Sequence, residues 1–413
     1  MNEEIDEGNA GKKNLKRSGL VLSWTVRPSH SSLPPVIADN LIVPARERGQ
    51  TVPNGVCVAA MSGGVDSAVA CLLAVEQGFD TIGLTMRLWS PGNGHLSERV
   101  RQCCGPTAYN DARAAAATAG IPHYIVNFET AFSKAVVDYF CGEYLAGRTP
   151  NPCVACNNLI KFGALQDFAK ALGAVTLITG HYARVYNDAA GPHLLRALDR
   201  TKDQSYMLAG LRPEQLAHLV LPLGAYTKEQ TRALAEQFCL DVAAKPDSMD
   251  LCFVDGDYRS FIVQRYPDSV QPGPIVKIDG DSVGEHDGLL GYTVGQRKGL
   301  PAHLHDGPWY VVRTDRNANA VVIGRREDLE RRTVRCSAIN VIRAERFYAD
   351  GAAEGLAVCR YRSKAVPARA VVQPDGALHV EFAQTVPVVT PGQLMVLYDE
   401  IGEEVIASGI IEP

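Results

Sequence analysis

Residues 56–67 constrain the fold of this chain more than any other stretch. An apolar run, Val56-Cys57-Val58-Ala59-Ala60-Met61, stops at Ser62-Gly63-Gly64 and is followed at once by Ser67-Ala68-Val69-Ala70-Cys71-Leu72-Leu73-Ala74. The first run is short and closed by glycines, which reads as a buried strand. The second reads as a helix that ends at Gly78. A strand that turns into a helix over two glycines aims backbone N–H groups and a helix N-terminus at one point. Glycine lets the backbone approach a ligand closely and the helix end carries roughly half a positive charge, so that point is an anion site. Ser62 and Ser67 add hydroxyl donors, and Asp66 is placed to hold a magnesium ion against phosphates. The loop lacks the Gly-Lys-Ser/Thr ending of a Walker sequence. A plain glycine turn would explain the glycines, but not the serines and the acid beside them.

The same alternation continues downstream. Strands are expected at 81–86, 123–126 and 174–179, and helices at 108–119, 129–145 and 159–172. This is an α/β pattern: a parallel sheet covered on both faces, with ligands gathering beyond the C-terminal ends of its strands. The loops at Ser62, Met86 and Gly180 share that edge. Beyond Arg200 the pattern becomes helical and short-linked, at 204–211, 213–219 and 228–238. After Gln271-Pro272-Gly273-Pro274 it becomes β-rich, with runs at 309–313, 320–323, 368–372 and 395–398 that suggest small barrels. A chain of 413 residues exceeds what one core usually serves. The expected division is a disordered extension at 1–54, a nucleotide-binding catalytic domain at 55–220, a helical and mixed middle region at 221–290, and a β-rich, barrel-like region at 291–413. No long apolar run suggests a membrane span. The extension carries early acids and no apolar stretch, unlike a mitochondrial or secretory leader, and a cytoplasmic location is expected.

Eleven cysteines without a disulfide-scaffold spacing read as reduced thiols. Two loops stand out. Thr149-Pro150-Asn151-Pro152-Cys153-Val154-Ala155-Cys156-Asn157-Asn158 carries a CxxC and leads into Ile160-Lys161-Phe162; Lys245-Pro246-Asp247-Ser248-Met249-Asp250-Leu251-Cys252-Phe253 carries one further thiol. A thiolate beside Lys161 or at a helix N-terminus would have a lowered pKa and act as a nucleophile. A lone CxxC also suits a redox pair, half a zinc site, or an iron–sulfur cluster on Cys153, Cys156 and Cys252 with one open iron. Cys103 and Cys104 read as spare loop thiols, the remainder as core.

The glycine loop resembles that of the ATP-pyrophosphatase (PP-loop) superfamily, whose members split ATP into AMP and pyrophosphate to adenylate a substrate oxygen. That resemblance implies ATP binding by Ala60, Met61, Ser62, Gly63, Gly64, Val65, Asp66 and Ser67. Further blocks, in order, are Asn151-Pro152-x-x-x-Cys156-Asn157, Ile160-Lys161-Phe162, Thr179-Gly180-His181-Tyr182, Lys202-Asp203-Gln204-Ser205-Tyr206, Leu221-Pro222-Leu223-Gly224, Asp247-Ser248-x-x-x-Cys252-Phe253, Gly284-Glu285-His286 and Tyr292-Thr293-x-Gly295-Gln296-Arg297-Lys298-Gly299. Together they resemble the bacterial tRNA-specific 2-thiouridylases from Val56 to the C-terminus. The resemblance implies ATP-dependent 2-thiolation of a wobble uridine, with Cys156 as nucleophile, Cys252 as persulfide carrier, and a disulfide between them during turnover. It implies nucleotide contacts from Met86 and Gly180, and tRNA contacts from Asn151, Pro152, Cys153, His181, Lys202, Asp203, Gln204, Arg360, Tyr361 and Gln393. The implied partners are tRNAs of the Lys, Glu and Gln acceptors and a cysteine desulfurase or sulfur-relay donor. Cys153 stands where some members have aspartate, and Met207 where an aromatic is common. The rival readings are a PP-loop ligase with a small-molecule substrate, which needs neither cysteine, and a non-catalytic RNA- or cluster-binding relative.

Charge bears on the RNA partner. The whole chain has a formal net charge of -5, which does not announce a nucleic-acid binder, but residues 295–370 hold 15 Lys and Arg against 8 Asp and Glu. A basic β-rich region beside an acidic remainder suits a protein that grips an RNA backbone with one part and does chemistry with another. Arg360-Tyr361-Arg362 offers charge and a stacking ring, and the target base would have to be flipped out to be reached.

Overall fold

The computed structural model describes residues 55–89, 105–246, 251–254, 256–301, 304 and 307–413. The extension expected to be disordered and the Cys103–Cys104 pair lie outside the described residues.

The expected parallel sheet is present and has five strands in the order β3-β2-β1-β4-β7: β1 (Val56–Ala60), β2 (Thr81–Arg87), β3 (His123–Asn127), β4 (Ala174–Ile178) and β7 (Leu219–Val220). Every pairing is parallel. Helix α1 (Val65–Glu76) follows β1 directly, with nine of its residues buried, and α2 (Pro106–Thr118) follows β2. β7 falls where the sequence suggests the end of a helix, because a two-residue strand shows no periodicity. A hairpin of β5 (Ala183–Asp188) and β6 (Gly191–Arg196) is also new; its half-buried strands alternate too briefly to stand out. Helix α3 (Lys228–Gln237) starts with a capping box, Thr227 accepting from the Gln230 N–H at 3.2 Å.

The long helix expected at 129–145 is interrupted by a π-helical turn, Ser133–Val137, and a second π-helical run, Cys156–Ala164, lies between Pro152–Ala155 and Leu165–Ala171. Such turns recur at functional sites.

β8 (Gly273–Lys277), β9 (Ser282–His286), β10 (Tyr310–Asp315) and β11 (Ala320–Gly324) form one sheet in the order β10-β11-β8-β9. The boundary expected at 290 therefore cuts through a sheet, since β11 pairs in parallel with β8. The barrel expectation is met further on. β12 (Arg331–Val341), β13 (Ala352–Val358), β14 (Val366–Val372), β15 (Leu378–Val386), β16 (Leu394–Tyr398) and β17 (Val405–Ile411) close into a six-stranded barrel. The barrel is bonded to the segment after the hairpin: Asn340 Nδ2 donates to the Ala209 and Leu211 carbonyls at 2.9 and 2.7 Å, and the Tyr206 hydroxyl to the Leu394 carbonyl at 2.6 Å. Among the described residues no helix is long and apolar enough to cross a membrane.

Candidate active site

The glycine loop sits at the C-terminal end of β1, clamped by two neighbouring backbones. Gly63 has φ +73°, and a Cβ there would lie 2.2 Å from the Ala108 carbonyl oxygen in the first turns of α2. A Cβ at Gly180, just after β4, would fall 2.6 Å from the Asp66 carbonyl carbon and 2.7 Å from the Ser67 nitrogen. Ser67 Oγ accepts the Ser62 N–H at 3.0 Å, lies 3.1 Å from Ser62 Oγ and donates to the Gly64 carbonyl at 3.0 Å. No side chain caps α1, and the acid of its first turn is Asp66, so its N-terminal dipole faces the loop with one carboxylate beside it.

Asp66 differs from expectation. Lys228 Nζ donates to both of its oxygens at 2.7 and 2.9 Å, and the Tyr182 hydroxyl donates to one of them at 2.9 Å. The carboxylate is a lysine's partner, not an open ligand, so Asp66 does not fit a magnesium ion as the sequence suggests. Lys228 is also the residue that sequence reasoning passes over. It is buried at the first position of α3, where the helix dipole disfavours a cation, so it needs an acid in reach. The Thr227-x-x-Gln230 box is the signal that could have exposed it. Met86 lies at the end of β2, half-buried and in register with Val126.

The thiols lie on converging segments. Asn151 caps the helix Pro152–Ala155, its Oδ1 accepting the Val154 N–H at 3.2 Å. Cys156 then opens the π-helical run. In a π-helix the i→i+5 bonding returns Lys161 toward the face of Cys156, whereas an α-helix would turn it ~140° away. Cys252 reaches this site because its neighbour Phe253 is anchored. The Phe253 ring packs edge-on against Phe140 at 5.3 Å and Phe132 at 5.7 Å, with Phe261 and Trp89 around it. Burying one such ring contributes about 1.5–3 kcal/mol and each aromatic pair about 0.5–1.5 kcal/mol more.

The lowered thiol pKa expected for Cys156 is not found. Burial pushes it up to about 12; Lys161 opposes that, while Cys252 and Cys153 add to it. Cys153 is exposed at its surface, yet desolvation by the surrounding protein still raises its thiol, with Lys161 opposing and Cys252 adding. The three cysteines are thus within electrostatic reach of one another. Among the described residues, however, no three His, Cys, Asp or Glu side chains group as a metal site, so Cys153, Cys156 and Cys252 do not fit the iron–sulfur alternative. Among the described cysteines none is joined in a disulfide.

Family profiles match the chain in three blocks: a tRNA methyl transferase HUP domain at 55–256, a tRNA methyl transferase PRC-barrel domain at 259–325 and an aminomethyltransferase β-barrel domain at 332–411. The tRNA-specific 2-thiouridylase MnmA of Pelotomaculum thermopropionicum is 43% identical over 358 residues, covering 86% of this chain and 96% of its own. That of Magnetococcus marinus is 45% identical over 370 residues, covering 87% and 99%. The chain belongs to the tRNA-specific 2-thiouridylase family. A solved 4-thiouridine synthetase–RNA complex with bound ATP aligns with 54% of this chain and 53% of its own at 17% identity, with a TM-score of 0.29, too slight a likeness to carry an argument.

Against that family membership, the residues expected to contact RNA form two groups. Around the CxxC loop, Gln393 Nε2 donates to the Thr149 and Pro150 carbonyls at 2.8 and 3.3 Å, so the barrel props the loop that carries Asn151, Pro152 and Cys153. In the second group the Tyr361 hydroxyl donates to the Asp203 carbonyl at 3.2 Å, which joins Lys202, Asp203 and Gln204 to Arg360 and Tyr361. The Asp203 carboxylate accepts from Ala197, from the Ser205 N–H and from the Ser205 hydroxyl, and Gln204 Oε1 accepts the Tyr182 N–H, so both serve the protein. Arg360 is exposed. His181 has its Nδ1 2.8 Å from Thr179 Oγ1 and its ring 5.5 Å from Phe162. Burial and then the Lys161 charge hold it well below the ordinary histidine range, so it is neutral at pH 7.

Lys161→Gln should therefore slow alkylation of Cys156. Removing this opposing cation raises the thiol pKa further, and below the pKa the thiolate fraction falls tenfold for each unit of rise. Iodoacetamide labelling from pH 7 to 10 is expected to show a curve displaced to higher pH. A curve that coincides with wild type would mean that Lys161 does not act on the thiol.

Proposed function

We propose that this protein thiolates the 2-position of a tRNA wobble uridine at the expense of ATP. The observation that carries the reading is the convergence of two thiol segments, distant in sequence, beside a glycine loop built for phosphates. The uridine 2-oxygen attacks the α-phosphorus of ATP, the bond to the β-phosphate oxygen breaks, and pyrophosphate leaves. The oxygen, a poor leaving group, becomes part of AMP. A persulfide on Cys252 supplies the sulfur. In one order Cys156 attacks the Cys252 inner sulfur and releases sulfide, which adds to C2 and expels AMP. In the other, the terminal sulfur adds to C2 first, AMP departs, and Cys156 then cleaves the sulfur–sulfur bond. Both routes end in a Cys156–Cys252 disulfide that a two-electron reductant must open, and both need a cysteine desulfurase or relay protein to reload Cys252. Any magnesium arrives with the triphosphate, whose charge it screens; Asp66, held by Lys228, does not stand open to hold it alone.

Arg360, Tyr361 and Lys202 are assigned to the RNA backbone and a stacked base, with Asn151 and Cys153 against the target base. The Lys, Glu and Gln acceptors are the proposed tRNAs. The test is purified protein with unmodified tRNA, ATP, magnesium and a persulfide donor, read by nucleoside mass spectrometry. Equimolar 2-thiouridine and AMP are expected; AMP without thiolated nucleoside, or neither, would refute the assignment.

A further inference from the structure

In the reaction proposed above the departing pyrophosphate carries most of the charge, and the loop from Ser62 to Ser67 contains no lysine to neutralise it. Two lysines reach the loop from elsewhere. Lys228 is committed to both oxygens of Asp66. Lys245 is held differently: its Nζ donates to the Gly63 carbonyl at 3.0 Å and to one oxygen of Asp111, on α2, at 2.8 Å. A neutral carbonyl is a weak partner for an ammonium, and this carbonyl belongs to the loop whose glycines face the anion. The side chain is only 20% exposed, so the cation is largely desolvated, with two of its three N–H donors used by these partners. Its backbone is fixed as well, since Arg232 on α3 donates to the Ala243 and Lys245 carbonyls at 2.6 and 3.1 Å.

From this geometry we infer that Lys245 is the cation that binds the β- and γ-phosphates of ATP and the pyrophosphate they become, exchanging the Gly63 carbonyl for phosphate oxygen. The inference rests on the proposed use of ATP. It explains how a loop without a Walker lysine handles a polyanion: the charge comes from the stretch that leads toward Cys252, not from the loop itself.

The test compares equilibrium binding of α,β-methylene-ATP, pyrophosphate and AMP to the full chain. Lys245→Met is expected to weaken the analogue and pyrophosphate by roughly 10- to 100-fold, the range for a charge-assisted hydrogen bond, while AMP stays within about threefold. Lys245→Arg should recover most of the loss. Equal loss for all three ligands, or no loss, overturns the inference. Asp111→Asn serves as an independent variant in case Lys245→Met does not fold: removing the competing carboxylate should tighten pyrophosphate, and weakening would overturn the inference. A wild-type protein that binds none of the three removes the ATP reading itself, and this inference with it; wild-type binding with an unaffected Lys245→Met removes this inference alone.

Discussion

Cys156→Ala is expected to abolish 2-thiouridine formation, by roughly ten-thousand-fold or more, while leaving ATP binding intact. The magnitude follows from chemistry that no neighbour can supply: without this sulfur neither order of transfer can break the persulfide bond. Lys161 and Cys252 act on Cys153 as well as on Cys156, but Cys153 is exposed on the preceding turn whereas Cys156 is buried where the π-helical run begins. The fold should survive, because removing one small buried thiol costs on the order of 1 kcal/mol. Cys252→Ala should fail to the same extent, and the double variant should be no worse than either single one, since residues that act as a unit are not additive. Nucleoside mass spectrometry on tRNA treated with each variant checks this, with α,β-methylene-ATP binding as the control. Thiolated uridine from either single variant at more than about a hundredth of the wild-type rate would place the sulfur chemistry elsewhere. A double Cys→Ser variant with undiminished ATP-to-AMP turnover and product would favour a PP-loop ligase with a small-molecule substrate.

What could be read ahead of the structure was what short range determines. The strand–glycine–helix unit is local, so β1, the loop and α1 lie where Val56 to Ala74 place them. β7 has two residues, so it gives no pattern, and it joins the sheet only through β4. The sheet that crosses residue 290 depends on β8 and β11 pairing in parallel across more than forty residues, a non-local choice without a local signal. The site divides the same way. Gly63, Ser67 and Cys156 announce themselves by neighbours in sequence; Lys228 and Lys245 touch the loop from 162 and 182 residues away. The thiol of Cys156 shows the limit most plainly. Lys161 promises a lowered pKa, and its sign is right, but desolvation by the packed helices is larger and exists only once the core has formed.

Gly63→Ala is the second large effect, and it separates steric demand from mere sequence motif. Gly63 sits at φ +73°, where an L-residue is strained by about 1–2 kcal/mol. The new methyl would also lie 2.2 Å from the Ala108 carbonyl oxygen, closer than any real contact, and that atom belongs to the backbone of α2 rather than to a side chain that could swing aside. Either the loop or the start of α2 must move. Both hold the phosphate site, so nucleotide binding should fall by roughly a hundredfold or more and stability by about 2–4 kcal/mol. The adjacent Gly64 supplies the contrast. Its φ of -102° suits any residue and its Cβ would meet only Ser62 Oγ, at an ordinary 3.5 Å, so Gly64→Ala should melt within a few degrees of wild type. Calorimetry of the two variants, with α,β-methylene-ATP titration of Gly63→Ala, measures both terms. If the two glycines tolerate alanine equally, the clamp of α2 on the loop is not what holds the site in shape. If Gly63→Ala alone collapses binding while iodoacetamide still labels Cys156 at the wild-type rate, phosphate binding and sulfur chemistry are built on separable parts of one sheet edge.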